Sequence, residues 1–203
     1  MYPIQSDVAY TDARNRVTVL LRLFLLIPHM IVLYLWNIAN SAASIAQWFI
    51  ILFTGKRNEG IFKFQANYAA YVQNVGGYGL LLHDKFPAFG EADTDSPARY
   101  EATFQKDANR LTSFFRLITI IPAAILAMLY GFAIEVITLI SWFIIVITGR
   151  QPRGMWEFNR KAFRILTAVQ GYYYLMTDEY PWPKVTIQAA NFDRPAETAP
   201  WRA

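Results

Sequence analysis

His29 and His83 are the only histidines in this 203-residue chain, and they stand far apart in sequence. A metal site built from them and carboxylates would be short of ligands. With no cysteine, the chain has no disulfide, thiolate site or redox thiol to offer. No serine sits in a G-x-S-x-G elbow, and no glycine-rich phosphate loop precedes a helix. The expectation is therefore a protein with no catalytic residues, no metal and no cofactor, and not an enzyme. His29 follows Pro28, which leaves the carbonyl of Phe24 without its helix partner. A polar neighbour then has a local job, or it serves as a proton-handling or ligand-binding group at membrane depth.

The second chemistry on offer is ionic, and it is written twice. A shift of 94 residues lays 3–87 onto 97–181 without a gap, so the chain holds two copies of one structural unit. Arg16, Arg22 and Asp84 fall on Arg110, Arg116 and Asp178. Arg22 and Arg116 sit less than two turns inside apolar runs, where a charge is costly unless it is paired or reaches the interface. Asp84 and Asp178 are the obvious partners. Arg16 lies six residues from Arg22, about 240° around a helix, so the two cannot share a face. One would hold the aspartate as a staple between the first and third helices, and the other would meet lipid phosphate. A binding site for an anionic head group is the competing use of the same residues.

The elements that position these groups follow from composition. Hydrophobic residues make up 55% of the chain and charged residues 17%, which is more apolar than ordinary globular proteins. No charge falls between Arg22 and Lys56, and only Glu135 falls between Arg116 and Arg150. Each window has the length of two short spans joined by a tight turn. The predicted hairpins have spans at 16–36 and 41–54, turning at 37–40, and at 110–130 and 135–148, turning near Gly131. Glu135 is then an exposed acid beside the outer turn. The 19 Lys and Arg lie outside the uncharged windows, which places both hairpin bases and both termini in the cytoplasm. The net charge of +4 is accordingly a topology signal, and no nucleic-acid partner is expected.

Thr54 and Gly55, like Thr148 and Gly149, read as helix ends closed by a glycine at positive φ, and Gly60 and Gly154 turn the chain into a third helix. That helix, 61–82 in the first copy and 155–176 in the second, carries an apolar stripe. In the second copy Arg160, Lys161 and Arg164 lie off that stripe, as expected of a helix resting on an anionic bilayer surface. A full third span is the runner-up. Trp48 and Trp142 either anchor the return helices at the interface or pack inside the bundle. Alternation at Ile4, Ser6 and Val8, at Ala98, Tyr100 and Ala102, and at Val185 and Ile187 predicts three short cytoplasmic strands. The fold expected is an all-α integral membrane protein of two tandem repeats, 1–90 and 97–183, each a transmembrane hairpin plus an interfacial helix. An acidic linker fills 91–96, and a strand and tail fill 184–203.

The chain carries R-x(5)-R-L-x(3)-I-P-H at Arg16, Arg22, Leu23, Ile27, Pro28 and His29. W-F-x-I-x-F-T-G-[K/R] follows at Trp48 to Lys56, and L-L-x-D-[K/R]-[F/Y]-P closes the copy at Leu81 to Pro87. In this combination the chain resembles a family of bacterial, notably actinobacterial, membrane proteins described only as a domain of unknown function, one domain per repeat. The second copy keeps Pro122 but departs at Ala123, in place of the histidine, and at Glu179, in place of the basic residue after Asp178. The resemblance implies a bacterial inner-membrane protein and brings no activity with it. The expected function is a multi-pass scaffold or accessory subunit that engages anionic phospholipid, a membrane-protein partner or a second copy of itself. The alternative is a small carrier or channel with its pathway between the repeats.

Overall fold

The computed structural model describes residues 2–10, 14–90 and 96–182. The expected strand at Val185 and Ile187, the C-terminal tail and most of the acidic linker lie outside the described residues. The rest is mostly helical.

The first hairpin turn does not form. Helix α1 runs unbroken over Arg16–Thr54, about 58 Å at 1.5 Å per residue. Asn15 caps its start by accepting from the Val17 and Thr18 amides, and Gly55 closes its end at φ 71°. Residues 37–40 contain no glycine or proline, and the Asn37 side chain serves tertiary structure instead, donating to the hydroxyls of Tyr68 (2.9 Å) and Tyr174 (2.8 Å). In the second copy the helix breaks earlier than expected, into α3 (Arg110–Phe114), α4 (Arg116–Thr119) and α5 (Ile121–Thr148). The second break falls just before Pro122, which sits in the first turn of α5 where its missing N–H leaves no helix bond unmade. Gly131 stays helical, because one glycine costs only about 1 kcal/mol relative to alanine. Glu135 therefore lies in the middle of α5, away from any turn. Among the described residues, α1 and α5 are the two helices long and apolar enough to cross a membrane.

The true hairpins join α1 to α2 (Glu59–Gly79) and α5 to α6 (Arg153–Tyr173). Helix α2 returns antiparallel along α1, and contacts run from Gln47 with Asn58, through Ser44 with Gln65, to Arg22 with Tyr78. Helices α2 and α6 are packed inside the fold, each between a long apolar helix and a strand. Tyr68, Tyr71 and Tyr78 turn one face of α2 toward α1. Phe62, Ala66 and Ala69, on the opposite side at 100° per residue, pack with Tyr100 and Ala102 of strand β2 (Ala98–Ala102). Helix α6 is held in the same way between α5 and strand β1 (Ile4–Val8). The apolar stripe read as lipid-facing is thus a protein core.

The strands pair antiparallel in the register Ile4 to Ala102, Ser6 to Tyr100 and Val8 to Ala98. Ser6 and Tyr100 are also repeat equivalents, so a local two-fold axis passes between them. It passes as well between Gln73 and Thr167, a second equivalent pair joined by a 3.0 Å hydrogen bond. Three layers stack along this axis: the sheet, then α2 with α6, then α1 with α3 to α5. Each strand packs on the helix of the other repeat, so the copies interlock. Gly171 permits this closeness, since a Cβ there would run into Ile4.

Candidate functional site: paired arginine and aspartate centres

The layers meet at two equivalent ionic centres. In the first, the Arg22 Nη2 lies 2.6 Å from Asp84 Oδ1, and its Nη1 donates to the carbonyls of Tyr78 (2.7 Å) and His83 (3.2 Å). Its guanidinium sits 4.2 Å above the Tyr78 ring. In the second, Arg116 Nη2 lies 2.9 Å from Asp178 Oδ1, Nη1 donates to Tyr172 (2.9 Å) and Thr177 (2.8 Å), and the Tyr172 ring lies 4.0 Å beneath. The chain can wrap each guanidinium because Leu81 and Leu175, another equivalent pair, adopt φ of 60° and 62°. Leucine tolerates that region only where its surroundings impose it.

Each centre holds a second arginine that sequence reasoning missed. Arg14 Nη1 lies 3.2 Å from Asp84, while its Nη2 donates to Leu82 O (3.0 Å) and Gln151 Oε1 (3.1 Å). Burial draws the Arg14 guanidinium below its ordinary pKa, against the opposing pull of Asp84. Arg57 Nη2 lies 2.6 Å from Asp178, and its Nε donates to Leu175 O at 2.8 Å. Under the 94-residue shift Arg14 matches Ala108 and Arg57 matches Gln151. A search for residues shared by both copies discards them. The available signal was the complementary loss, one arginine kept in each copy at a different position.

Arg16 and Arg110 join neither aspartate. They pack against the closing glycines of the opposite helices, Gly149 and Gly55, where a Cβ would lie 2.9 and 3.1 Å from their Nε atoms. A cation there complements the negative end of the helix dipole. Trp48 and Trp142 stitch the copies together, their indole N–H groups donating to Ser113 O (2.9 Å) and Val19 O (3.0 Å). Gly60 and Gly154 lie in the first turns of α2 and α6.

His29 is fully buried and stands 2.7 Å from the Tyr71 hydroxyl, stacked on Phe89 with centroids 4.2 Å apart. Its hydrogen-bond partner is thus Tyr71 rather than the Phe24 carbonyl. The second copy has Ala123 and Ile165 in these two places. Burial, and then the charge of Arg22, push the His83 imidazole down to about 4.

Two of the three basic residues of the α6 cluster are held by β1. Arg160 grips Asp7 of β1 through both Nε and Nη2, the latter at 2.6 Å, and Arg164 donates to Ser6 O (3.0 Å) and approaches Asp7 at 3.4 Å. Lys161 alone of the three is exposed. The physical reason is that a strand from the other repeat covers this face, an encounter no local pattern announces.

A further pair of equivalents links the layers with different residue types. Gln65 Nε2 donates to Ser44 Oγ (2.9 Å) and Tyr174 O (3.0 Å); Asn159 Nδ2 donates to Thr138 Oγ1 (2.9 Å) and Leu80 O (3.5 Å). Beside them lie two equivalent grooves between α1 and the α4–α5 side, of about 450 Å³ at Arg22 and Trp142 and about 300 Å³ at Arg116 and Trp48. Among the described residues no three His, Asp or Glu side chains gather to hold a metal ion.

Residues 16–90 and 110–184 each match the family described as Domain of unknown function (DUF4389). The chain belongs to this family, in two tandem copies. No curated protein and no solved structure matches the chain. Within the DUF4389 limits lie Arg22 with Asp84 and Arg116 with Asp178, together with the strained leucines. Arg14 and both strands fall outside the matched segments, so the repeat-swapped sheet is carried by chain that flanks the DUF4389 units.

Proposed function

We propose that this protein is a non-enzymatic scaffold or accessory subunit of the bacterial plasma membrane, seated in the bilayer by α1 and α5 with its sheet layer and both termini on the cytoplasmic side. The observation that carries the reading is an inverted amphipathic helix. Between its polar end residues the outward face of α1 is apolar, from Val17 at 65% to Phe53 at 78% exposure, while its buried face includes Arg22, His29, Asn40 and Gln47. Water would reward the opposite arrangement. A lipid environment rewards this one.

The same geometry supports α1 and α5 lying in the membrane plane rather than crossing it. The apolar face of α1 runs much of its length of about 58 Å, well beyond a hydrocarbon core of about 30 Å. The two-stranded sheet flanks the helices opposite that face, and upright spans would carry its open edges toward hydrocarbon, where unpaired backbone is not tolerated. The carrier reading has weaker support, because Thr167 and Gln73 close the two-fold where a passage between the repeats would run.

The test uses single cysteines at Arg16 and Lys56, the two ends of α1, in a chain with no natural cysteine. In-plane seating expects both to resist a membrane-impermeant thiol reagent on intact cells and both to react in inverted vesicles. Opposite accessibility would show that α1 crosses the bilayer.

A further inference from the structure

The larger groove differs from its equivalent in two correlated ways. Where the second groove has Ser41 and Tyr173, the first has Glu135 and Gly79. The fold therefore does not require glycine at this place: the second repeat carries a half-exposed tyrosine there, and its groove is smaller. Nor does packing demand Gly79, since a Cβ there would meet Leu26 at an ordinary 3.4 Å. Glu135 is the single acid of its apolar window and stands at mid-helix, a costly place for an unpaired charge. Among the described residues no basic group pairs with it.

The groove also holds the opposite charge. Arg22 lines it, is 2% exposed, and keeps a buried Nε–H with no hydrogen-bond partner among the described residues. Apart from Thr138, whose hydroxyl accepts from Asn159, the remaining side chains of the walls are apolar, and exposed residues of the lipid-facing layer, Leu23, Met30 and Leu139, form part of them. A volume of about 450 Å³ falls in the range of small-ligand sites.

We infer that this groove binds a zwitterionic phospholipid with a primary ammonium head, its phosphate toward Arg22, its ammonium on Glu135, and its chains leaving between α1 and α5 into the bilayer. A purely anionic head would meet Glu135 unfavourably, and a quaternary ammonium could not donate a hydrogen bond to it. The smaller groove offers no carboxylate and takes no such head. The inference rests on the proposed membrane seating.

The test is native mass spectrometry of the full chain, purified in detergent and exposed to equal amounts of phosphatidylethanolamine, phosphatidylcholine and phosphatidylglycerol with the same chains. The wild type is expected to retain one phosphatidylethanolamine preferentially. Glu135→Gln should reduce that preference about tenfold, about 1.4 kcal/mol, and Gly79→Leu should abolish the bound lipid; Ser41→Ala, in the smaller groove, should change nothing. Equal retention of all three lipids by the wild type, or an unchanged preference in Glu135→Gln, would overturn the inference. Carbonate extraction of membranes carrying each protein reads the seating separately. Loss of the wild type from the membrane refutes the seating, whereas a membrane-retained wild type without lipid preference refutes only the groove.

Discussion

Arg57 of the first repeat closes on Asp178 of the second, Nη2 to Oδ1 at 2.6 Å, while Gln151 of the second repeat reaches back to Arg14 in the first centre. The two repeats thus exchange one side chain each, and each centre holds two guanidinium groups and one carboxylate.

That exchange makes the second centre convertible to the pattern of the first. Arg57→Gln should destabilise the detergent-solubilised protein by up to about 3 kcal/mol, somewhat below the cost of breaking a fully buried pair because Asp178 keeps Arg116. Adding Ala108→Arg, which supplies an arginine where Arg14 stands in the first copy, should recover part of the loss. Thermal unfolding of the single and double variants decides the point. A double variant no more stable than Arg57→Gln would show that the two centres are not built alike.

Arg22 and Asp84 should show strong coupling. Arg22→Ala leaves Asp84 with Arg14 as its one cation and the Asn15 amide as donor, and Asp84→Ala leaves two buried guanidinium groups together. The combined variant should therefore lose less stability than the two singles added, with a coupling of about 1–3 kcal/mol. Arg16→Ala, which removes a group beside a helix end, should cost about 1 kcal/mol or less.

His83 predicts a stability loss in mild acid. Its imidazole sits near 4 in the folded protein against 6.5 when free, so the unfolded chain takes up the proton first as pH falls. Stability is complete above about 6.5, declines between there and 4, and flattens below, a total of about 3 kcal/mol at 1.36 per unit. Denaturant melts of wild type and His83→Gln across this range isolate the term. Parallel pH profiles would contradict it.

Asp7 should anchor the sheet. Asp7→Asn removes the shared partner of Arg160 and Arg164 and should free β1 from α6 at a cost of about 2–3 kcal/mol, since Arg160 is partly solvated. Limited proteolysis should then cut nearer the N-terminus, while α1 and α5 stay membrane-bound. Replacing both arginines with Gln should have the same signature. Loss of anionic lipid without strand release would instead restore the lipid-facing role expected of them.

Part of this architecture was legible locally. Glycine at the end of an apolar run reads directly as a helix terminus, and Gly55 and Gly149 do end helices at positive φ. Arg22 with Asp84 was suggested by recurrence, because a charge just inside an apolar run needs a partner and the repeat supplies one acid in register. Alternation marked β1 and β2. The place where the chain reverses was not legible: Asn37 and Asn40 look like turn residues, yet asparagine also hydrogen-bonds at a distance, and Tyr68 and Tyr174 are remote in sequence.

By itself, then, the sequence determined the duplication, the two long apolar segments and the identity of the repeated arginine and aspartate, because each is a property of composition or local spacing. Only the tertiary structure decided that the repeats interlock, that β1 covers α6, that Arg160 and Arg164 serve Asp7, and that Arg14 and Arg57 complete the centres. Those choices depend on which faces meet across the two-fold. Such meetings are set by the fit of whole layers rather than by any neighbourhood along the chain.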